Sequence, residues 1–486
     1  MSAVSIDLKV KILAMKKVGR CGRRRRSIHQ NKTQQGQCTG VSQAHQPVYV
    51  KLLQWIKDNV DASQWKSSVW HRLEPAYFKD TGRGLRAKVS ICPGETIISI
   101  PQQLLITVAT VFNSDIGAII FREKQQFTPQ QLLTIFLVIE RHRGDTSQWL
   151  PYINSLPQEY STPLYFSAFE MELMSPCVRE LAVLTRERFN KAFTKIRAFI
   201  KNCESSYEHM FSESDVRWAW STVNTRSVYL QTDPHALLIL DPEESHLALA
   251  PFLDLLNHSD CSQMSAGINV KSRTYDIITQ DTYKKNEQVF ICYGSHDNAK
   301  LLINYGFALP SNVSNSYMFT LGDIAAIILE YSQHLERKLS ILTEAKLDKN
   351  LVCTIDGISW SLLTALKIAA LSWEQLSRWK SLVQGSILSE DVEKLAHQMA
   401  SQLIGSALVK SKTHLHFVVR FSFFFCHYKF GLVLMKSKTH LQFVDKQPSS
   451  TYSSVLRILS LDDILILERS LSCLEECKQG SETSVL

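Results

Sequence analysis

Three short motifs, far apart but fixed in order, constrain this chain more than its composition does. Thr81-Gly82-Arg83-Gly84-Leu85 comes first and Asp254-Leu255-Leu256-Asn257-His258 second. The third is Ile291-Cys292-Tyr293-Gly294, followed after ten residues by Tyr305-Gly306-Phe307. All three lie in strand-and-turn surroundings. Leu73–Pro101 reads as strand, glycine turn, strand, with Pro93-Gly94-Glu95 as a tight turn between Val89-Ser90-Ile91 and Thr96–Ile100. Strand character returns after Leu247, in Ile268–Val270, Tyr275–Thr279 and Val289–Cys292, with turns near Lys271–Arg273 and Lys284–Glu287. One such motif is weak evidence; three in this order are strong.

Between and after these strands the periodicity is helical. Val50, Leu52, Leu53, Trp55, Ile56 and Val60 fit a short amphipathic helix. Thr128 and Pro129 form an N-cap and first turn ahead of Leu132, Leu133, Ile135, Phe136 and Ile139. Further helices are predicted over 168–202 and 213–230. Asn298–Tyr305 is a short helix stopped by Gly306. Beyond about Pro310 the chain reads as almost wholly helical, with Asp323 and Ser359 as N-caps. The expected class is therefore α+β: residues 1–46 a disordered basic tail, 47–310 a β-fold with a helical insert at about 102–218, and 311–486 an all-α domain.

Composition excludes some functions. With 486 residues, 45% of them hydrophobic, the chain buries real cores. The net charge of +8 is local: residues 1–50 hold ten Lys/Arg against Asp7 alone, about +9, which leaves the rest near −1. Lys16-Lys17 and Arg23–Arg26 read as a solvated tail, a nuclear localisation signal or a weak nucleic-acid contact. Eleven cysteines without a Cys-x-x-Cys pair suggest reduced thiols, hence cytoplasm and nucleus. Lys9 and Lys11 interrupt any secretory apolar segment. Arg420, His427 and Lys429 break the apolar run at 416–435, so no membrane span is expected. Leu408–Val418 recurs as Leu434–Val444, a local duplication or a gene-model error, and poor order is expected there.

Glycines at 82 and 84 let backbone approach a ligand closely, although alone they describe an ordinary β-turn. His258 with Ser259 invites a hydrolase reading, but no Gly-x-Ser-x-Gly elbow accompanies them. Taken together the motifs resemble the SET family of protein lysine methyltransferases, in the branch typified by the plant Rubisco large-subunit lysine methyltransferase. The resemblance covers about 50–405 and weakens beyond.

It implies that S-adenosyl-L-methionine is the cofactor, held by Gly82, Arg83, Gly84, Arg226, Asp254, Asn257, His258, Tyr293, Tyr305 and Phe307, with Tyr293 as the catalytic residue and no metal. Arg226 matches the family's arginine aimed at the cofactor carboxylate, which a guanidinium fork suits. Asp254 is expected to orient its own loop by local hydrogen bonds. Tyr305 and Phe307 suit a channel wall and adenine packing. No cysteine-rich, zinc-binding segment follows Tyr293, the next cysteine being Cys353. The implied partner is a histone or non-histone protein presenting an accessible lysine. The rival readings are a SET-like module that binds lysine segments without turnover, and a nucleic-acid factor acting through the basic tail.

Overall fold

The structure is a computed structural model that describes residues 39–60, 70–241, 245–331, 334–436 and 449–483. The clusters at Lys16-Lys17 and Arg23–Arg26 lie outside the described residues. The chain forms two compact units, Met1–Pro157 with Phe199–Gly294 and Gln158–Ala198 with Ser295–Leu486. The stretch read as a helical insert thus contributes to both. Among the described residues no helix is long and apolar enough to cross a membrane.

The first unit is built on β1 (Val41–Ser42), β2 (Leu73–Phe78), β3 (Gly82–Ala87), β7 (Asn257–His258) and β10 (Gln288–Ile291). They form one sheet in the order β1-β2-β3-β10-β7. β2 and β3 make an antiparallel hairpin from Leu73↔Ala87 to Phe78↔Gly82, and β3 then pairs β10 through Val289↔Leu85. β10 pairs β7 in parallel, Phe290 opposite Asn257 and Ile291 opposite His258. The three sequence motifs therefore become neighbours in a single sheet. Leu85, Ala87 and Val289 are fully buried beneath it, and each large aliphatic side chain so placed stabilises the unit by roughly 1.5–3 kcal/mol. β1 corrects the expectation of disorder as far as residue 46, since Val41 and Ser42 pair with Tyr77 and Ala76.

Two further sheets complete this unit, β4-β9-β8 (Thr96–Pro101, Thr274–Thr279, Met264–Asn269) and β5-β6 (Ser227–Tyr229, Leu247–Leu249). Its principal helix, Pro129–Arg143, starts as the sequence indicates: the Thr128 hydroxyl accepts from the Gln131 N–H while the Gln131 side chain accepts from the Thr128 N–H. It packs on the helix Glu213–Arg226. That helix ends at Arg226, not near 230, because residues 227–229 pair as β5.

The second unit is mainly helical, with a small sheet of β11 (Ser316–Met318), β12 (Val352–Thr354) and β13 (Gly357–Ile358). Its core includes Ile324, Ile328, Leu342, Leu366 and Met399. Ser359 caps the helix Trp360–Ala370 as expected. The helix Leu321–Tyr331 differs: Thr320 accepts from the Asp323 N–H, and Asp323 reaches back to the Thr320 N–H, so Asp323 closes the capping box without itself being the cap.

One helix, Glu390–Lys436, carries the first copy of the duplicated stretch, where order was expected to fail; the second copy lies outside the described residues from Ser437 on. His414 in the first copy lies 3.1 Å from Ser460 Oγ and 3.0 Å from the Leu173 carbonyl. The last helix, Ser449–Thr483, reaches the segment after Tyr293: Asp462 Oδ2 accepts from Asn298 Nδ2 at 2.7 Å, and Asn298 also bonds the Leu309 carbonyl at 2.9 Å.

Candidate functional site

The site grows from the glycine hairpin. Gly82 adopts φ 69°, a left-handed conformation that disfavours any side chain. Gly84 is needed for a different reason. A Cβ there would lie 2.8 Å from Gln288 Nε2 and 2.9 Å from Asn257 Nδ2, so two carboxamides occupy the space its missing side chain leaves. Asn257 Nδ2 donates to the Arg83 carbonyl at 2.9 Å, fastening β7 to the hairpin through its side chain. Arg83 in turn donates to the Ser155 carbonyl at 3.1 Å.

His258 and Tyr293 are joined twice over. The Tyr293 backbone N–H donates to His258 Nδ1 at 3.0 Å, and the Tyr293 hydroxyl donates to the Leu256 carbonyl at 2.6 Å. The two rings stand 5.1 Å apart, tilted by 30°. Because Nδ1 accepts, the His258 ring carries its proton on Nε2. The phenol proton is committed to a backbone carbonyl, which leaves the oxygen lone pairs as acceptors.

Beneath this bend lies a buried ion pair. Arg226, last residue of its helix, donates through Nη1 to the Asp254 carbonyl at 2.8 Å and to Asp254 Oδ2 at 3.3 Å. Tyr152 donates its hydroxyl to the same Oδ2 at 3.1 Å. Asp254 therefore ties elements 28 and 102 positions away, in contrast to the local role expected of it. Burial pushes its carboxyl above the ordinary range, opposed by Arg226, Tyr152 and Arg83. The preceding Phe252 is held at φ 72°, strain of about 1–3 kcal/mol for a non-glycine residue. Such strain commonly accompanies functional sites.

Gly82, Arg83, Gly84, Arg226, Asp254, Asn257, His258 and Tyr293 thus meet in the first unit. Tyr305 and Phe307 belong to the second; their rings pack 6.2 Å apart around Gly306, whose φ of 82° ends the helix Asn298–Tyr305. Among the described residues no group of three or more His, Cys, Asp or Glu side chains could hold a metal. Tyr152 and Gln288 escaped the sequence reading. Neither lies in a recognisable motif, and each reaches the site only through pairing distant in sequence.

The SET domain family model matches residues 82–294, and the Rubisco LSMT substrate-binding model matches 331–417. SET domain-containing protein 4 of Homo sapiens is 35% identical over 75% of this chain and 82% of its own length; that of Mus musculus is 34% identical over 77% and 84%. The actin-histidine N-methyltransferase of Danio rerio is 26% identical over 71% of this chain and 56% of its own. In fold, the chain is similar to a crystal structure of the SET domain of LSMT bound to lysine and AdoHcy, with a TM-score of 0.60, 18% identity, and coverage of 90% of this chain and 92% of that one. With this identity spread over most of both SET domain-containing relatives, the chain belongs to the SET-domain methyltransferase family, in the branch that joins a SET domain to a Rubisco LSMT substrate-binding region.

Proposed function

We propose that this protein transfers a methyl group from S-adenosyl-L-methionine to the ε-amine of a lysine in a protein substrate, histone or non-histone. The observation that carries the reading is the double attachment of Tyr293 to the 256–258 bend, through its N–H to His258 and its hydroxyl to Leu256. A family resemblance in sequence alone would not require that junction.

The chain suits such a cofactor. The close approach at Gly84, the carboxamide of Asn257 and the cationic Arg83 offer backbone, amide and charge to an amino-acid carboxylate. Arg226 stands behind them, engaged by Asp254. When bound, the cofactor supplies an electrophilic methyl group on a positively charged sulfur. The chain's part is positional. Tyr293, its hydroxyl proton already donated, presents lone pairs that accept weak C–H···O contacts and fix the methyl direction. An apolar, water-poor approach favours the uncharged lysine amine by disfavouring ammonium. Holding nucleophile and methyl in line supplies most of the remaining acceleration.

The test is mass spectrometry of cell extract incubated with protein and cofactor, comparing wild type with Tyr293→Phe. New methyl-lysine that depends on Tyr293 supports the reading. New methyl-histidine in its place would favour a second acceptor, a possibility raised by the actin-histidine N-methyltransferase relatives. Cofactor binding without transfer to any protein would favour the non-catalytic module. We assign the protein to cytoplasm and nucleus, and the basic residues near the start to a weak nucleic-acid contact; both are tested by imaging and binding after substitution of Arg23–Arg26.

A further inference from the structure

Gln288 opens β10, the strand that leads to Tyr293, and is only 6% exposed. Its carboxamide is aimed from one side: the Thr81 hydroxyl donates to Oε1 at 2.9 Å across 207 positions of sequence. With Oε1 so held, Nε2 turns over Gly84, next to the Asn257 carboxamide. Among the described residues that buried Nε2 has no hydrogen-bond partner. Burying an amide donor without an acceptor is costly, and an aliphatic residue of similar volume would serve the sheet better. Where a local rule of stability is broken at a site, function is the usual reason.

We propose that Gln288 is a positioning residue for the cofactor site. Thr81 sets its amide; the amide, wedged over Gly84, sets the Asn257 carboxamide, whose other side is fixed on the Arg83 carbonyl. Gln288 thereby couples the glycine hairpin, the Asn-His bend and the strand that leads to Tyr293. This inference rests on the reading of 82–84 and 257 as cofactor-binding.

The full chain is compared with Gln288→Leu, Thr81→Val and Thr81→Ser by calorimetry with S-adenosylhomocysteine, by thermal melting without ligand, and by steady-state methyl transfer. Gln288→Leu keeps the volume and removes the amide. It should weaken cofactor binding and raise cofactor KM by roughly tenfold, the loss of about one hydrogen bond, with kcat within about twofold and no fall in melting temperature. Thr81→Val should weaken binding in the same direction, and Thr81→Ser, which keeps the hydroxyl, should restore it. Unchanged affinity in Gln288→Leu overturns the proposal. So does a loss of affinity that merely follows a loss of melting temperature. If the wild-type chain itself binds no cofactor, the methyltransferase reading falls first and takes this inference with it; wild-type binding with an unaffected Gln288→Leu removes only the role of Gln288.

Discussion

Asp254→Asn should destabilise the first unit by about 3 kcal/mol. The Asp254 side chain is 1% exposed and Arg226 17%, with 3.3 Å between Oδ2 and Nη1. At that separation the attraction is about 5 kcal/mol for an effective dielectric near 20. Desolvation of the carboxylate opposes it, as the raised Asp254 pKa records. The net worth of the intact pair is therefore modest, whereas removing the carboxylate takes the counter-charge from a mostly buried guanidinium that keeps its bond to the Asp254 carbonyl, costing about 3–5 kcal/mol. The lower end applies because Arg226 keeps some contact with water and the substituted carboxamide would still accept from Tyr152. Arg226→Met should behave differently with pH. The stranded carboxyl, its folded pKa raised above 3.8, binds a proton more tightly folded than unfolded. That pKa is raised already in the wild type and should rise further without Arg226, so the variant's extra destabilisation should grow with pH above the wild-type value and level off beyond its own. Urea unfolding followed by circular dichroism at pH 5 and 8 measures both, and Asp254→Asn combined with Arg226→Met completes the cycle. The double variant should lose clearly less than the sum of the singles. Additive losses, or an Asp254→Asn protein as stable as wild type, would refute the reasoning.

Tyr293→Phe should lower kcat by about a hundredfold, the cost of misdirecting the reacting groups, while cofactor affinity changes little; isothermal titration and turnover assays separate the two effects. Gly84→Ala should displace Asn257 and Gln288, which lie 2.9 and 2.8 Å from the added carbon, and cost about 1–3 kcal/mol of stability together with cofactor binding, measured by melting with and without S-adenosylhomocysteine. Lys338, 1% exposed in the second unit, donates its Nζ to the Ala369 carbonyl at the end of the helix Trp360–Ala370, and burial pushes its pKa down to about 8. An unfolded lysine stays protonated to about 10.4, so wild-type stability should gain about 3 kcal/mol between those pH values, a gain that urea titrations of Lys338→Met should lack.

Much of the fold was legible because local chemistry and final structure agree. Thr128-Pro129 and Ser359 begin helices where their side chains indicate, and Gly306 ends one where a left-handed residue is required. The three motifs could be ordered along the chain, but their adjacency in one sheet depends on strand register that no window of sequence contains. Val41–Ser42 looked like tail because two residues carry no periodicity; their order comes from pairing with β2. The strands at 316–318, 352–354 and 357–358 are too short to alternate visibly within a helical region. Tyr152 and Gln288 were invisible for the reason that makes them informative, namely that their partners lie 102 and 207 positions away.

The hold of Asp462 on Asn298 makes the late chain a support for the early one. A shortened protein lacking residues after about 448 would still contain both family-matched regions, yet the helix leading into Tyr305-Gly306-Phe307, though still capped by Asp297, would lose the carboxylate that holds the Asn298 side chain. Damage from such a deletion would surface some 160 residues upstream of the lost side chain. A frameshift late in the reading frame would then mimic a lesion a few residues past Tyr293.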